Sequence, residues 1–298
     1  MIYNTKLLEK AIRARFHQQY GQIQSQPHLN RLSRLYTPTT SNGSEEKYAW
    51  LGDIPGVREW VGEKSLGGLK DYDYTIKNKD WYDGFAIDRN ELEDEQIDGI
   101  MPRVDMLAME LAKWPSNLVV DLIKNGDSNL AYDGSAFFAD RSTNDNLLSG
   151  SGTTVSNIKT DIQTVRATMM QFESDTGRVM GLMPDTLVVP PQMEVDFLEA
   201  VRSATTGDSV TADGIGYNPL AAFGMNVIAL PELSDSDDWY AFATQFPLRP
   251  FIVQSRKAPE SVLDDTEVNR NRKLYYSAEM RGNAGYGFPQ MAIKVVNS

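Results

Sequence analysis

The stretch PRVDMLAMELAKWPSNLVVDLIKN, residues 102–125 of a 298-residue chain, decides how the rest of the sequence is read. Val104, Leu107, Ala108, Leu111 and Ala112 recur at helical spacing, and Leu118, Val119, Leu122 and Ile123 continue the same apolar stripe. Pro102 suits a first helical turn, and Asn125-Gly126 is a stop signal. Pro115 predicts a kink or a break near Trp114, because proline removes a backbone donor inside the helix. Unbroken, the element reaches about 36 Å at ~1.5 Å per residue, which is long for a domain of this size.

Upstream lie Glu91, Glu93, Asp94, Glu95 and Asp98, placed where acids favour the helix dipole. Before them, Tyr72, Tyr74 and Ile76 alternate with polar residues. Lys77-Asn78-Lys79-Asp80 reads as a turn, and Trp81, Phe85 and Ile87 follow it. The pattern predicts a β-hairpin within residues 64–90 that projects, since it has too few apolar residues to cover both faces. Leu7, Leu8, Ala11, Ile12 and Phe16 predict an amphipathic helix near the start, capped by Asn4 or Thr5. After Gly21 the chain turns polar, with Pro27, Pro38 and a Thr39–Ser44 run of loop chemistry. A short helix on a polar tether reads as an arm that reaches beyond its own domain.

Downstream, Ile158, Ile162, Val165, Met169 and Phe172 predict a helix over about Ser156–Asp175, ended by Gly177. Thr186–Val189 reads as a buried strand, and Pro190 or Pro191 opens a third helix carrying Met193, Phe197, Leu198 and Val201. Residues 203–217 read as a mobile Ser/Thr/Gly/Asp loop. Strands are expected at Asn226–Leu230, Trp239–Thr244, Phe251–Gln254, Lys273–Met280 and Gln290–Val296. Helices with late, unevenly spaced strands give an α+β class.

Composition removes much chemistry. There is no cysteine, so disulfides, thiolate metal sites and cysteine nucleophiles are excluded. The two histidines, His17 and His28, sit in a polar N-terminal stretch and are read as exposed, not as a triad or metal set. No phosphate loop or GxSxG elbow is present, and Gly282, Gly285 and Gly287 read as backbone freedom between strands. Residues 127–134 fail as a calcium loop for want of its glycine and closing glutamate. A carboxylate-based glycoside hydrolase using the 91–98 acids or Asp235, Asp237 and Asp238 is the one catalytic alternative, against a reading of both runs as solvated acids. No apolar stretch approaches the ~18 residues of a membrane span, and no export signal is evident. The expectation is a soluble protein with no catalytic residue, cofactor or metal.

Charge is uneven. The net charge is −12, yet residues 1–36 carry +5 and residues 37–100 carry −8. A basic arm followed by an acidic segment suggests surfaces that meet, within one molecule or between copies.

Several segments together resemble the Mu-like phage major head subunit family. They are Trp50-Leu51-Gly52, Arg58–Lys64, Tyr74-Thr75-Ile76 with Asn78-Lys79, Arg89, Glu93-Asp94, and Tyr132-Asp133-Gly134 with Phe137-Phe138. The C-terminal part adds Arg249-Pro250-Phe251-Ile252, Gln254, Arg256, Pro259-Glu260, Arg281, Ala284–Phe288 and Gln290-Met291-Ala292. The likeness is dense over 48–138 and 249–292; Asp140-Arg141 departs from it where many relatives carry a histidine.

The resemblance implies an HK97-type capsid fold. Its expected parts are an N-terminal arm (1–46), an extended-hairpin E-loop region (47–96), a P-domain with its spine helix (97–184), an A-domain (185–248) and a return to the P-domain (249–298). It implies a major capsid protein forming hexamers and pentamers of an icosahedral head around double-stranded DNA. Such a protein belongs to the virion and is assembled in a host cytoplasm, with scaffold, portal and possible cement partners, non-specific contact with DNA and no membrane. An encapsulin-like shell of the same fold is the near alternative. Inter-subunit contacts are expected at Lys6, Arg13, Arg15, Arg31 and Arg34 of the arm and at the aromatic row Tyr72, Tyr74, Trp81 and Phe85. Lys64, Lys70, Lys77 and Lys79 make an isopeptide crosslink conceivable, with plain charged residues as the expectation. No domain of about 100 residues precedes the arm, so a built-in scaffold is not expected.

Overall fold

The computed structural model describes residues 5–26, 30–48, 74–93, 97–174, 177–203, 205–211, 214–266 and 272–297. The stretch that anchors the sequence reading is one helix, α3 (Ile97–Lys124), preceded by α1 (Thr5–Gln24) and the short α2 (Arg89–Glu93). At 28 residues, α3 is about 42 Å long. The break expected at Pro115 is not there: the helix runs on through Pro102 and Pro115. Leu111 and Ala112 before the proline and Leu118 and Val119 after it are all buried, so packing on both sides holds the turn that lacks its hydrogen bond.

The two halves of α3 serve two different cores. Ile100, Val104, Leu107, Ala108 and Leu111 pack with Ile12 and Phe16 of α1 and with Leu274, Tyr276, Ala278 and Met280. Those last four come from β12 (Lys273–Tyr286), the middle of a sheet ordered β1-β11-β12-β4. Its other members are β1 (Tyr36–Thr40), β11 (Phe251–Asp264) and β4 (Lys79–Asp88). β11 and β12 form an antiparallel hairpin from Phe251↔Tyr286 to Asp264↔Tyr275, and β1 joins β11 in parallel.

Beyond Pro115, Val119, Val120 and Ile123 pack against Phe137, Phe138, Phe251 and Tyr286, and against strands of a second sheet. That sheet is ordered β5-β13-β10-β6-β9. It comprises β5 (Leu147–Ser149), β6 (Thr186–Val189), β9 (Asn226–Ala229), β10 (Trp239–Phe242) and β13 (Ala292–Val296). β6 and β10 are buried at every position, which explains their unalternating apolar sequence. Their other face is covered by α4 (Val155–Met170) and α5 (Glu194–Arg202). Within residues 249–298, β11 and β12 lie in the first sheet and β13 lies in the second.

Other expectations are corrected. α4 stops at Met170 rather than near Asp175; the chain then turns so that Glu173 bridges Val179. Residues 203–217 are not a loop: β7 (Thr205–Thr211) and β8 (Gly214–Tyr217) pair as an antiparallel ribbon, as their β-branched residues allow. The loop-rich run of the arm supplies β1 and β2 (Glu45–Lys47). The hairpin closed at Asn78 does not form. β3 (Thr75–Lys77) pairs with β2, and β4 pairs with β12. The favoured two-residue hairpin turns need positive φ at least at the first central residue, and neither Asn78 nor Lys79 has it.

Gly282 and Gly285 sit inside β12 without positive φ, so they do not supply the conformational freedom expected of them. Their role is space. A Cβ on Gly282 would lie 2.4 Å from the Gln254 carbonyl oxygen, and one on Gly285 would lie 2.5 Å from Ile76 Cδ1. Gly84 of β4 is as tight, with 2.5 Å to the Tyr276 carbonyl oxygen. Gly84→Ala forces a backbone shift between β4 and β12, and the expected loss is about 1–3 kcal/mol, read as a lowered urea midpoint. An unchanged midpoint would mean that the strands separate freely.

Candidate functional site

Several residues of the family resemblance, among them Tyr74, Ile76, Asn78 and Gln254, converge where the β2–β3 ribbon meets the first sheet. Gln254 of β11 is fully buried. Its Oε1 accepts from the Tyr48 hydroxyl at 3.0 Å, and its Nε2 donates to the Ile76 carbonyl at 2.9 Å and to Asn78 Oδ1 at 2.8 Å. Asn78 Nδ2 donates onward to Ser41 Oγ at 2.7 Å and to the Gly43 carbonyl at 3.0 Å. Ser41 Oγ in turn donates to Glu46 at 2.8 Å. Glu46 also accepts from the backbone N–H groups of Asn42 and Gly43, and these bonds, the Ser41 one foremost, hold its carboxyl below the usual range. On the other side, the Tyr286 N–H donates to the Tyr74 hydroxyl at 2.7 Å, and the Tyr286 hydroxyl donates to the Leu122 carbonyl at 2.9 Å. The latter satisfies one of the last carbonyls of α3, which has no partner inside the helix. Burial pushes the hydroxyls of Tyr74 and Tyr286 above their ordinary range.

Arg249 ties the arm down: its guanidinium donates to the carbonyls of Ser33 and Tyr36, at 2.5 and 3.0 Å. Phe137 stacks on Tyr286 with ring centres 4.5 Å apart and meets Phe138 edge-on at 4.9 Å. These groups are internal scaffold. Residues 49–73 lie outside the described residues.

The predicted contact residues fall into three groups. Tyr72, on the presumed hairpin with Lys64 and Lys70, lies outside the described residues; Lys6 lies in α1, with its side chain outside them as well. Tyr74, Trp81 and Phe85 are only partly exposed, because they pack within the chain: Tyr74 as above, Trp81 edge-on to Trp114 at 5.9 Å, and Phe85 against Tyr276 at 5.6 Å. The Trp81 indole also donates to the Gly282 carbonyl at 3.0 Å. The arm residues divide likewise. Arg15 forms a two-pronged pair with Asp105 of α3, at 2.7 and 2.6 Å, and Arg31 grips Glu232 and the Ala229 carbonyl at about 3.0 Å. Arg13 and Arg34 are exposed. The arm helix does not stand away from its domain, since Ile12 and Phe16 are fully buried beside α3.

Sequence reasoning missed Tyr82, the aromatic of β4 that stands outward at 82% exposure. Strict alternation from Trp81 and Phe85 would have found it, because even-numbered positions face the other way. Outward with it face Gly84 and Ala86 on β4, and Glu279 and Tyr275 on β12. The acids Asp235, Asp237 and Asp238 do come together. Asp238 is buried against Lys294 at 3.0 Å and accepts from the Asn297 N–H at 3.1 Å. Lys294 also meets Asp127 at 2.8 Å. Burial alone would lower the Lys294 pKa, but the two carboxylates and the Tyr240 ring beside it outweigh that and raise it. Asp238, Lys294 and Asp127 form an ion-pair cluster, with Asp237 half-buried and Asp235 exposed beside it.

A long helix spanning two sheets, an extended ribbon base and an arm laid along the helix define a shell-protein fold of the HK97 type. The chain aligns with a chain of the procapsid of bacteriophage JBD30 at a TM-score of 0.57, with 21% identity, covering 98% of this chain and 75% of that one. More narrowly, the chain belongs to the family described as Mu-like prophage major head subunit gpT, whose model matches residues 5–164, 158–215 and 225–298. It is 24% identical over 264 residues to the Mu-like prophage FluMu major head subunit of Haemophilus influenzae, covering 87% of this chain and 64% of that protein. It is 22% identical over 270 residues to the major capsid protein of Escherichia phage Mu, covering 89% and 65%. The chain thus spans just under two thirds of the length of both relatives.

Gln254→Leu takes one hydrogen bond each from the Tyr48 hydroxyl, the Ile76 carbonyl and Asn78 Oδ1. The expected cost is about 1–3 kcal/mol in all. Hydrogen exchange should accelerate first at residues 45–47 and 75–77; an even loss of protection across both sheets would show that the network does not anchor the ribbon.

Proposed function

We propose that the chain is a major capsid protein that self-assembles into the hexamers and pentamers of an icosahedral phage head enclosing double-stranded DNA. The observation that carries this reading is the family match along nearly the whole chain, on a fold shared with a phage procapsid chain. A thin wall needs subunits that bury surface on several neighbours at once. The arm (1–46) and the E-loop region (47–96) are the segments suited to lie across adjacent copies, with Lys6, Arg13 and Arg34, the outer sides of Arg15 and Arg31, and the aromatics Tyr72, Tyr74, Trp81 and Phe85 as contact residues. The P-domain takes 97–184 and 249–298 and the A-domain 185–248, with β5, α4 and β13 lent to the A-domain sheet. The role is structural, not catalytic: Asp238, the buried acid of its cluster, is committed to Lys294 and the Asn297 N–H. Scaffold, portal and cement proteins are the partners such a head requires. Assembly takes place in the host cytoplasm and the product is the virion capsid; no helix among the described residues is long and apolar enough to cross a membrane.

The purified chain should sediment as capsomers or shells, visible by negative-stain microscopy. A stable monomer under all assembly conditions would sink the proposal. On a denaturing gel the particle should fall to single chains of about 33 kDa; a ladder of multiples would reveal a covalent lock. The net charge of −12 should keep the chain from holding packaged DNA. Filter binding to duplex DNA at low salt is expected to show no retention, and tight, salt-sensitive binding would overturn that part.

A further inference from the structure

The helix layer over the second sheet carries an unusual exposed group. Arg166 of α4 lies over the Phe223 ring, its guanidinium carbon 4.0 Å from the ring centre, and its Nη2 points at the Met183 sulfur at 3.3 Å. Met170 lies one turn further along the same face of α4. Phe223, Met183 and Met170 are each about two-fifths exposed, at 42, 41 and 41%. Among the described residues no carboxylate pairs with Arg166. A guanidinium with one face covered by an aromatic and no acid partner is a strong, unused anion binder. With Met183 against it and Met170 exposed on the same helix face, it has the make-up of an interface anchor.

The complementary chemistry is on the neighbouring helix. Glu194 and Glu199 of α5 are exposed and have no basic partner among the described residues. Between them, Val195 stands out at 72% exposure. α4 and α5 pack on each other over one sheet face, so the basic-apolar and the acidic-apolar surfaces belong to one firm layer.

We infer that the Arg166 surface of one copy docks on the Glu194–Glu199 face of α5 in the next copy, a head-to-tail contact between copies of this chain. Two different patches that fit each other generate a ring when the rotation closes. The inference rests on the shell reading above and names a contact within it.

The test uses the full-length chain, with sedimentation and negative stain reading the assembled fraction. Arg166→Glu and Glu199→Arg should each cut that fraction about tenfold, through like charges brought face to face. Combined in one chain, they should restore it. Val195→Asp, at a position open to solvent, should cut assembly with an unchanged melting curve, and it decides the matter if Arg166→Glu fails to fold. Single variants that assemble like the parent, or a double variant that stays as poor as either single, overturn this contact while leaving the shell reading intact. A parent chain that never assembles overturns the shell reading and takes this contact with it.

Discussion

One helix has to bury its two halves against two different sheets, and the rest of the structure follows from that. The N-terminal half of α3 packs on the β12 face and α1, and the C-terminal half packs on Phe137, Phe138 and the inner face of the second sheet. Trp114 touches both groups, and Pro115 sits between them. A helix interior with proline is costly in isolation, so its survival measures how much apolar packing grips each side. Because a single rigid rod joins the sheets, a load applied to one is transmitted to the other without a hinge of loops between them.

The second dependency is polar. The ribbon base is held by a chain of satisfied hydrogen bonds from Tyr48 through Gln254 and Asn78 to Glu46. A buried network of this kind fixes one geometry only if every member is paired. Here Gln254 has partners on both its oxygen and its nitrogen, and Asn78 bonds through both ends of its amide. The glycines of β12 and β4 serve the same end by letting neighbouring backbone and side chains close to distances that a Cβ would forbid.

Much of this was legible in the sequence, and the limits are physical. The long helix, α4 and the buried strand β6 were read from periodicity, a local property. The break offered at Pro115 did not occur because the packing that preserves the helix comes largely from residues distant in sequence, such as Leu274, Tyr276, Phe251 and Tyr286. The hairpin at Asn78 failed for a related reason. Alternation marks strands but does not name their partners, and β3 and β4 turned to different ones. The arm charges were read as meeting an acidic surface within one molecule or on another copy; Arg15 and Arg31 meet acids of their own chain at positions 105 and 232. Among the residues of the family resemblance, Gln254, Tyr286 and Phe137 are buried in the scaffold, whereas Lys79, Arg89, Arg256 and Glu260 are exposed. The surface around Arg166 gave no signal, since its parts are brought together only by the fold.

The pairing of early with late segments has a consequence for synthesis. β1 waits for β11, and β4 waits for β12, partners roughly two hundred residues downstream. Such distant pairings make folding slow, because a long loop must close before any contact repays it. On a ribosome, residues 36–40 and 79–88 stay unpaired until residues 251–286 have emerged. A half-made chain therefore offers its neighbours no finished first sheet, so premature joining of incomplete chains is discouraged by the topology itself. The order of the strands acts as a timer that separates making the brick from laying it.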